Sequence, residues 1–244
     1  MTRFFVTEEE LAGKTVLLTG ENAAHGKVLR LKCGDEVMVC DGRGTECRCT
    51  VGGIGPDGIH LEVLNREASG SEARIRVTVY MAFPKADKLE HVIQKATELG
   101  ACEIVTFPSA RCVSRPDEKS LRKKLERWQK IAASAAEQSG RGIIPVVKTL
   151  PGYAAAVKEA AQADLPVLFY ENERACTFSM AIESCAGFRT VSLMTGPEGG
   201  LEPSEVEQAS RSGMRICTLG RRILRCETAP LCALSAVMFA VGEF

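Results

Sequence analysis

The chain has 244 residues, of which 45% are hydrophobic and 25% charged, the make-up of a soluble globular protein with room for one or two domains. Thirty-one basic side chains balance thirty-one acidic ones, so overall charge argues against bulk nucleic-acid binding. No segment approaches the ~20 apolar residues of a membrane span, and Met1–Val6 followed by Glu8, Glu9 and Glu10 is too short and acidic for a signal peptide, so a cytoplasmic location is expected.

Residues 14–65 read as short strands: Thr15–Leu18, Glu36–Cys40, Glu46–Val51 and Ile59–Leu64. Turn signals separate them at Asp41-Gly42 with Gly44, at Gly52-Gly53 and at Pro56-Asp57-Gly58. Four or five strands at this spacing predict a small barrel, with one helix over Ala23–Leu31. Ser69–Ala73 reads as a linker. The predicted division is therefore a small β-domain over 1–70 and a second domain over 74–244.

The second domain opens with a strand at Ile75–Tyr80. Asp87 and Glu90 have capping-box spacing, and Leu89, Val92, Ile93, Ala96 and Leu99 mark one helical face that Gly100 ends. A strand at Ile104–Phe107 and a long helix over Ser120–Gln138 follow. Val167–Tyr170, Val191–Met194 and Ile216–Leu219 are further apolar strands with helical stretches between them. Alternation of strand and helix predicts an α/β fold with a parallel sheet covered on both faces. The last helix, Ala229–Val241, carries no charge. It is either a central core helix or one covered by a second subunit.

The eleven cysteines are odd in number, and Cys40, Cys102, Cys217 and Cys232 sit in apolar runs, the usage of a small reduced hydrophobe. Cys47 and Cys49 lack a partner pair at zinc spacing, so no metal site is expected. Two basic runs stand out. Arg111, Arg115, Lys119, Arg122, Lys123, Lys124, Arg127 and Lys130 are interspersed with acids, as on a solvated face. Arg211, Arg215, Arg221, Arg222 and Arg225 have no acid between them.

Two motifs carry the functional signal. Gly196-Pro197-Glu198-Gly199-Gly200 follows the apolar run Val191–Thr195, and Leu219–Ala229 (LGRRILRCETA) follows the next strand. Each sits where a strand hands over to a helix, the place where open α/β sheets bind ligands. Neither is the spaced-glycine dinucleotide fingerprint or a P-loop, so phosphate binding is poorly supported. Taken alone, the glycine motif reads equally well as a tight turn.

These two motifs, together with Lys88-Leu89-Glu90, Gln94–Gly100, Ala136–Ser139 with Arg141, the N-terminal Arg3-Phe4-Phe5, His25 with Val28-Leu29-Arg30, Gly34-Asp35 and Asp41-Gly42, resemble the RsmE family. The resemblance runs in order over nearly the whole chain. Cys226 departs from it, standing where the family pattern has Thr, and Pro230 is unusual one turn into a helix, though tolerable there. These are bacterial SPOUT-class methyltransferases that methylate N3 of one uridine in small-subunit (16S) ribosomal RNA. The resemblance implies a PUA-like β-barrel, a deep C-terminal trefoil knot in which the segment Leu219–Ala229 threads under an earlier loop, an S-adenosylmethionine pocket inside the knot, and an obligate homodimer.

Residue chemistry is compatible with that implication. Met194, Leu219, Ile223 and Leu224 would wall an apolar adenine slot. Gly196, Gly199, Gly200 and Gly220, with Thr195, Glu198, Thr228 and Ala229, complete the expected cofactor set. Arg225 is the candidate for stabilising charge on the uracil oxygens, and Glu227 or Glu198 for accepting the proton. Glu198 has a rival role, accepting backbone N–H groups to hold a loop. Arg3, His25, Arg30, Arg111, Lys123, Lys124, Arg141, Arg221 and Arg222 are the expected RNA contacts. Trp128 reads as core, His91 as surface, and His60 as a strand residue. The competing readings are a non-catalytic RNA-binding dimer and an enzyme that uses a different nucleotide.

Overall fold

The computed structural model describes every residue, Met1–Phe244, and the chain divides into two compact units. No helix is long and apolar enough to cross a membrane.

The first unit comprises Met1–Glu72 and Ala136–Ile144. It contains β1 (Thr2–Phe5), α1 (Glu8–Leu11), β2 (Thr15–Leu18), α2 (Gly20–Val28), β3 (Glu36–Cys40), β4 (Thr45–Ile54) and β5 (Ile59–Ala68). The five strands pair in the order β1-β3-β4-β5-β2, with β1 parallel to β3 and the other pairs antiparallel. The alternation read in the sequence supplies the core: Val16, Leu18, Val37, Val39, Cys47, Cys49, Val51, Ile59 and Leu61 pack together with Phe4 and Leu11. The pairing leaves β1 and β2 as edges, so hydrogen bonding does not close this sheet into a complete barrel.

Three local expectations change here. Gly52-Gly53 is no turn: it lies inside β4, where the register against β5 shifts between Val51 and Gly53, the bulge that an in-strand glycine often marks. The helix ends at Val28, three residues short of the expected Leu31. Arg30 adopts φ 57°, and Leu31 N–H turns back to Gly26 O at 3.1 Å. The segment Ala136–Ile144, expected in the second domain, joins this unit because Ile144 N–H bonds Gly42 O at 3.0 Å and Arg141 pairs with Glu72.

The second unit comprises Ala73–Ala135 and Pro145–Phe244. Its elements are β6 (Arg76–Ala82), α3 (Lys88–Glu98), β7 (Glu103–Phe107), α4 (Glu118–Ser139, whose last turn belongs to the first unit), β8 (Val146–Thr149), α5 (Tyr153–Ala160), β9 (Leu165–Phe169), α6 (Phe178–Glu183), β10 (Thr190–Thr195), α7 (Pro203–Arg211), β11 (Arg215–Cys217) and α8 (Thr228–Ala240). All six strands run parallel, in the order β11-β9-β10-β6-β7-β8. The chain builds outward from β6 to β8, then crosses to the other side for β9 to β11. Such a reversal of strand order opens a ligand crevice at the carboxyl ends of the strands. Helix α5 touches β6, β7, β10 and α7, while α8 touches β6, β10, α3 and α6, so the two cover opposite faces. The fully buried β9 shows the continuous apolar pattern of a strand covered on both sides.

On α3 the apolar face is as read, with Leu89, Val92, Ile93 and Ala96 buried, and Gly100 ends the helix at φ 93°. The capping box at Asp87 does not form, because Glu90 pairs with Arg127 at 2.7 Å instead. The reciprocal contact occurs at α7, where Glu202 N–H donates to Glu205 Oε2 at 2.9 Å. Glu205 is buried, and its other oxygen accepts Ala110 N–H at 2.9 Å. Helix α8 places Pro230, Ala233, Leu234, Val237 and Met238 in the core and leaves Cys232 and Phe239 exposed. Cys232 is therefore not the buried hydrophobe that its apolar run predicts.

Candidate cofactor pocket and RNA-facing residues

A pocket of about 470 Å³ lies over the carboxyl ends of β9, β10 and β11. Three loops line it: Phe169–Glu171 with Arg174, Thr195–Gly200, and Thr218–Cys226, joined by Lys88 and Ala229. The turn after β10 closes tightly, with Gly200 N–H bonded to Pro197 O at 2.9 Å and Gly200 at φ 67°. A Cβ on Gly196 would come within 3.0 Å of Leu201 Cγ, so the first glycine is required by crowding and the last by backbone conformation.

Of the expected cofactor set, Thr195, Gly196, Glu198, Gly199, Gly200, Leu219, Gly220, Ile223, Leu224 and Ala229 line this pocket. Met194 and Thr228 do not. Met194 is fully buried in the sheet core beneath the pocket, and Thr228 faces solvent in the first turn of α8.

Lys88, at the start of α3, is the residue that sequence reasoning passed over. Its Nζ lies 3.0 Å from Glu198 Oε1 and 3.2 Å from Glu227 Oε2, with Cys226 Sγ at 3.7 Å. One ammonium thus ties the loop after β10 to the loop before α8. Glu198 Oε1 also accepts Lys85 N–H at 3.0 Å. Burial pushes the Glu198 carboxyl up, but the Lys85 N–H and the Lys88 ammonium outweigh it and hold the group below the usual carboxylate range. Glu227 is held low by its own backbone N–H, the Cys226 thiol and Lys88. The two carboxylates in turn raise Lys88 above an ordinary lysine, Glu198 most strongly. Burial, then Glu227, pushes the Cys226 thiol up to about 12, so it remains protonated and donates to Glu227 Oε2 at 3.3 Å. A threonine hydroxyl would supply the same donor, which accounts for the tolerated departure at this position.

The arginines of the acid-free run divide by partner. Arg221, Arg222 and Arg225 are exposed at the pocket, and their guanidinium groups meet no hydrogen-bond partner. The Arg225 carbonyl starts α8 by accepting N–H of Thr228 and Ala229 at 2.9 and 3.0 Å. Arg111, remote in sequence, is brought to the glycine turn and donates from Nη1 to Gly199 O at 3.0 Å. Lys123 is exposed on α4; Lys124 lies 5.9 Å above the ring of Trp128, which is itself core, as its sequence context predicts. In the first unit, Arg30 is exposed, and His25 pairs with Glu137 at 3.0 Å while packing edge-on against Phe4.

Arg3 and Arg141, also expected to contact RNA, are largely buried and each is engaged by an acid. Arg3 Nη1 donates to Glu46 at 2.8 Å and to the Cys40 sulfur, with little of the side chain in solvent. Arg141 is buried and pairs with Glu72 at 2.6 Å, while Glu72 also accepts N–H of Gly142 and Ile143. Each guanidinium already faces a carboxylate, which weakens its attraction for a phosphate.

Comparison with known proteins matches this geometry to a class. Residues 71–238 match the family model of an RNA methyltransferase domain, and residues 18–64 match that of an RNA methyltransferase PUA domain. Over 98% of its length the chain is 36% identical to ribosomal RNA small subunit methyltransferase E of Bacillus subtilis, covering 96% of that protein. It is 34% identical to the Mycobacterium tuberculosis protein of the same name over 96% of this chain and 90% of that one. The solved structure of the Neisseria gonorrhoeae protein of that name, bound to S-adenosyl methionine, aligns with a TM-score of 0.88 at 32% identity, covering 100% of this chain and 99% of that one. A Legionella pneumophila putative methyltransferase in complex with the same cofactor aligns at 0.86 and 27% identity, over 98% of this chain and 97% of that one. The chain belongs to the ribosomal RNA small subunit methyltransferase E family.

Proposed function

We propose that this chain methylates N3 of one uridine in 16S ribosomal RNA, with S-adenosylmethionine as methyl donor. The observation that carries the reading is the pocket over β9, β10 and β11, and the activity and bound cofactor of the relatives support it. The residues fit the cofactor. A 470 Å³ pocket is of small-ligand size, Leu219, Leu224 and Phe169 give apolar wall, and glycine backbone gives close polar access. No Gly-Lys-Ser/Thr phosphate cradle is needed, because this cofactor has no phosphates. Its sulfonium supplies an already activated methyl group, so the chain's task is alignment.

Thr195, Gly196, Gly199, Gly200, Gly220, Ile223 and Ala229 complete the cofactor wall. Arg225, exposed and unpaired at the pocket, stabilises negative charge developing on the uracil oxygens. Glu198 and Glu227 hold Lys88 and the two loops. Their depressed ionisation makes them poor proton acceptors near neutral pH, so we give them positioning roles in place of the general-base role that the sequence suggests. Arg111, Arg221, Arg222, Lys123, Lys124, Arg30 and His25 contact RNA, chiefly at phosphates. The reading includes the trefoil knot threaded by the 219–229 segment, a SPOUT-type homodimer through the exposed face of α8, and a cytoplasmic location.

Calorimetry with S-adenosylmethionine and with ATP, followed by nucleoside mass spectrometry of 16S RNA incubated with the protein, tests this. Micromolar cofactor binding and N3-methyluridine are expected. ATP binding alone points to a different enzyme, and binding of neither points to a non-catalytic RNA-binding dimer; each result would overturn the proposal.

A further inference from the structure

We propose that Glu171 is the carboxylate that reads the cofactor: it accepts hydrogen bonds from polar donors on the part of S-adenosylmethionine that takes no part in methyl transfer. The inference rests on the cofactor assignment above. Two carboxylates line the pocket, Glu198 and Glu171. Glu198 is committed to Lys85 and Lys88. Glu171 is half-buried, and its carboxylate oxygens accept no hydrogen bond. The adjacent cation does not neutralise it, because Arg174 Nη1 is directed at the main-chain carbonyls of Glu171 and Glu173, at 2.6 and 3.0 Å.

The loop that carries Glu171 is braced. Glu173 Oε1 accepts N–H of Arg174, Ala175 and Cys176 at 2.8, 2.6 and 3.1 Å, and Tyr170 N–H bonds Cys217 O at 3.0 Å. The glycine turn keeps space for the carboxylate, since a Cβ on Gly200 would collide with Glu171 Oε1. A half-buried, unpartnered acceptor on a braced loop favours a ligand that brings donors to it. S-adenosylmethionine brings two kinds: the ribose hydroxyls and the α-ammonium of its methionyl part. A nucleoside phosphate would instead set like charges together, so Glu171 also makes the pocket selective for this cationic nucleoside over nucleotides.

The test compares wild type with the isosteric Glu171→Gln by calorimetry, using S-adenosylmethionine, S-adenosylhomocysteine and 5′-methylthioadenosine, which has the ribose but no amino-acid part. Methylation kinetics accompany it. Glu171→Gln should weaken S-adenosylmethionine roughly ten- to a hundredfold, the loss of a hydrogen bond to a charged group. KM for the cofactor should rise while kcat at saturation stays near wild type, the pattern of a contact made equally in ground and transition states. Glu171→Asp should recover part of the loss, and melting temperatures should not move. An equal loss for methylthioadenosine assigns the contact to the ribose, and loss confined to the two longer ligands assigns it to the α-ammonium. A Gln variant that binds all three as wild type does, or that loses kcat alone, overturns the proposal and leaves the cofactor assignment standing. A wild type that does not bind S-adenosylmethionine overturns the cofactor assignment first.

Discussion

Arg141 stands in a family-like motif yet is buried, and replacing it separates structure from RNA contact. Its side chain is 5% exposed and that of Glu72 is 18% exposed, with the pair closing at 2.6 Å. Arg141→Met would leave Glu72 charged, with N–H of Gly142 and Ile143 as its remaining partners, at 3.1 and 3.0 Å. Breaking one side of a buried pair costs about 3–5 kcal/mol. The two backbone donors and the solvent-facing rim of Glu72 place this case at the lower end, about 3 kcal/mol. At about 2–4 °C per kcal/mol for a chain of this size, the melting temperature should fall by roughly 6–12 °C. Glu72→Met added to Arg141→Met should restore much of the loss, because an apolar replacement of the whole pair leaves no orphaned charge. Thermal denaturation reads the stability. RNA binding at several salt concentrations reads the alternative, and neither affinity nor salt slope should change in the folded variant. An unchanged melting temperature, with a salt slope flatter by about 0.7, would mean that Arg141 holds a phosphate and that the burial argument is wrong.

Three further outcomes are expected. Because Glu198 and Glu227 ionise below the usual carboxylate value, their stabilising contribution is present above about pH 4.5, the ordinary glutamate value, and is lost as pH falls through their lowered folded values. The Lys88 contribution, from a raised group, is present below the ordinary lysine value and lost only above it, so these three groups should hold the same charge across pH 6–9 and add no pH dependence of their own to cofactor affinity there. A rate limb near pH 7 that disappears in Glu227→Gln would return Glu227 to the role of general base. Phe239, 72% exposed on the charge-free α8, should be the sensitive point of a dimer, so Phe239→Asp should sediment as a folded monomer. Val237→Glu should unfold the chain itself, since Val237 is already core; a wild type that sediments as a monomer at micromolar concentration refutes the interface. Arg225→Ala should lose most methyl transfer and keep its RNA affinity, whereas Lys123→Ala with Lys124→Ala should weaken RNA binding, flatten its salt dependence and spare single-turnover chemistry at saturating RNA. The same kinetic pattern in both would end the division between chemistry and docking.

Local periodicity made much of the fold readable. The face of α3 and most strands of both sheets follow from spacing, and the two loops at strand ends line the pocket. Two strands without an alternating face were missed: β1 and β8 each have one buried residue among four, whereas the equally short β2 alternates exposed and buried positions and was read. The other gaps are long-range. Glu72 and Arg141 are 69 positions apart, Arg111 and Gly199 88, and Lys88 and Cys226 138, separations at which no local pattern signals contact.

Among the arginines and lysines of the family-like motifs, burial separates free side chains from committed ones. Arg3, Lys88 and Arg141 all belong to family-like motifs, and each meets a carboxylate brought in from far along the chain. Arg221, Arg222 and Arg225 belong to such a motif too, yet they stay exposed and unpaired at the pocket, whereas Arg211 and Arg215 of the same acid-free run are engaged by Glu207 and by Ala181 O. The physical reason is that leaving a buried charge unpaired costs far more than a surface pair gains. A motif cation that the fold buries must therefore find an acid, whatever its separation in sequence. A cation kept at the mouth of a pocket needs none and remains available to an anionic ligand. Lys88 shows the intermediate case: partly exposed at the pocket, it is claimed by two glutamates at once and so ties together the loops that shape the site.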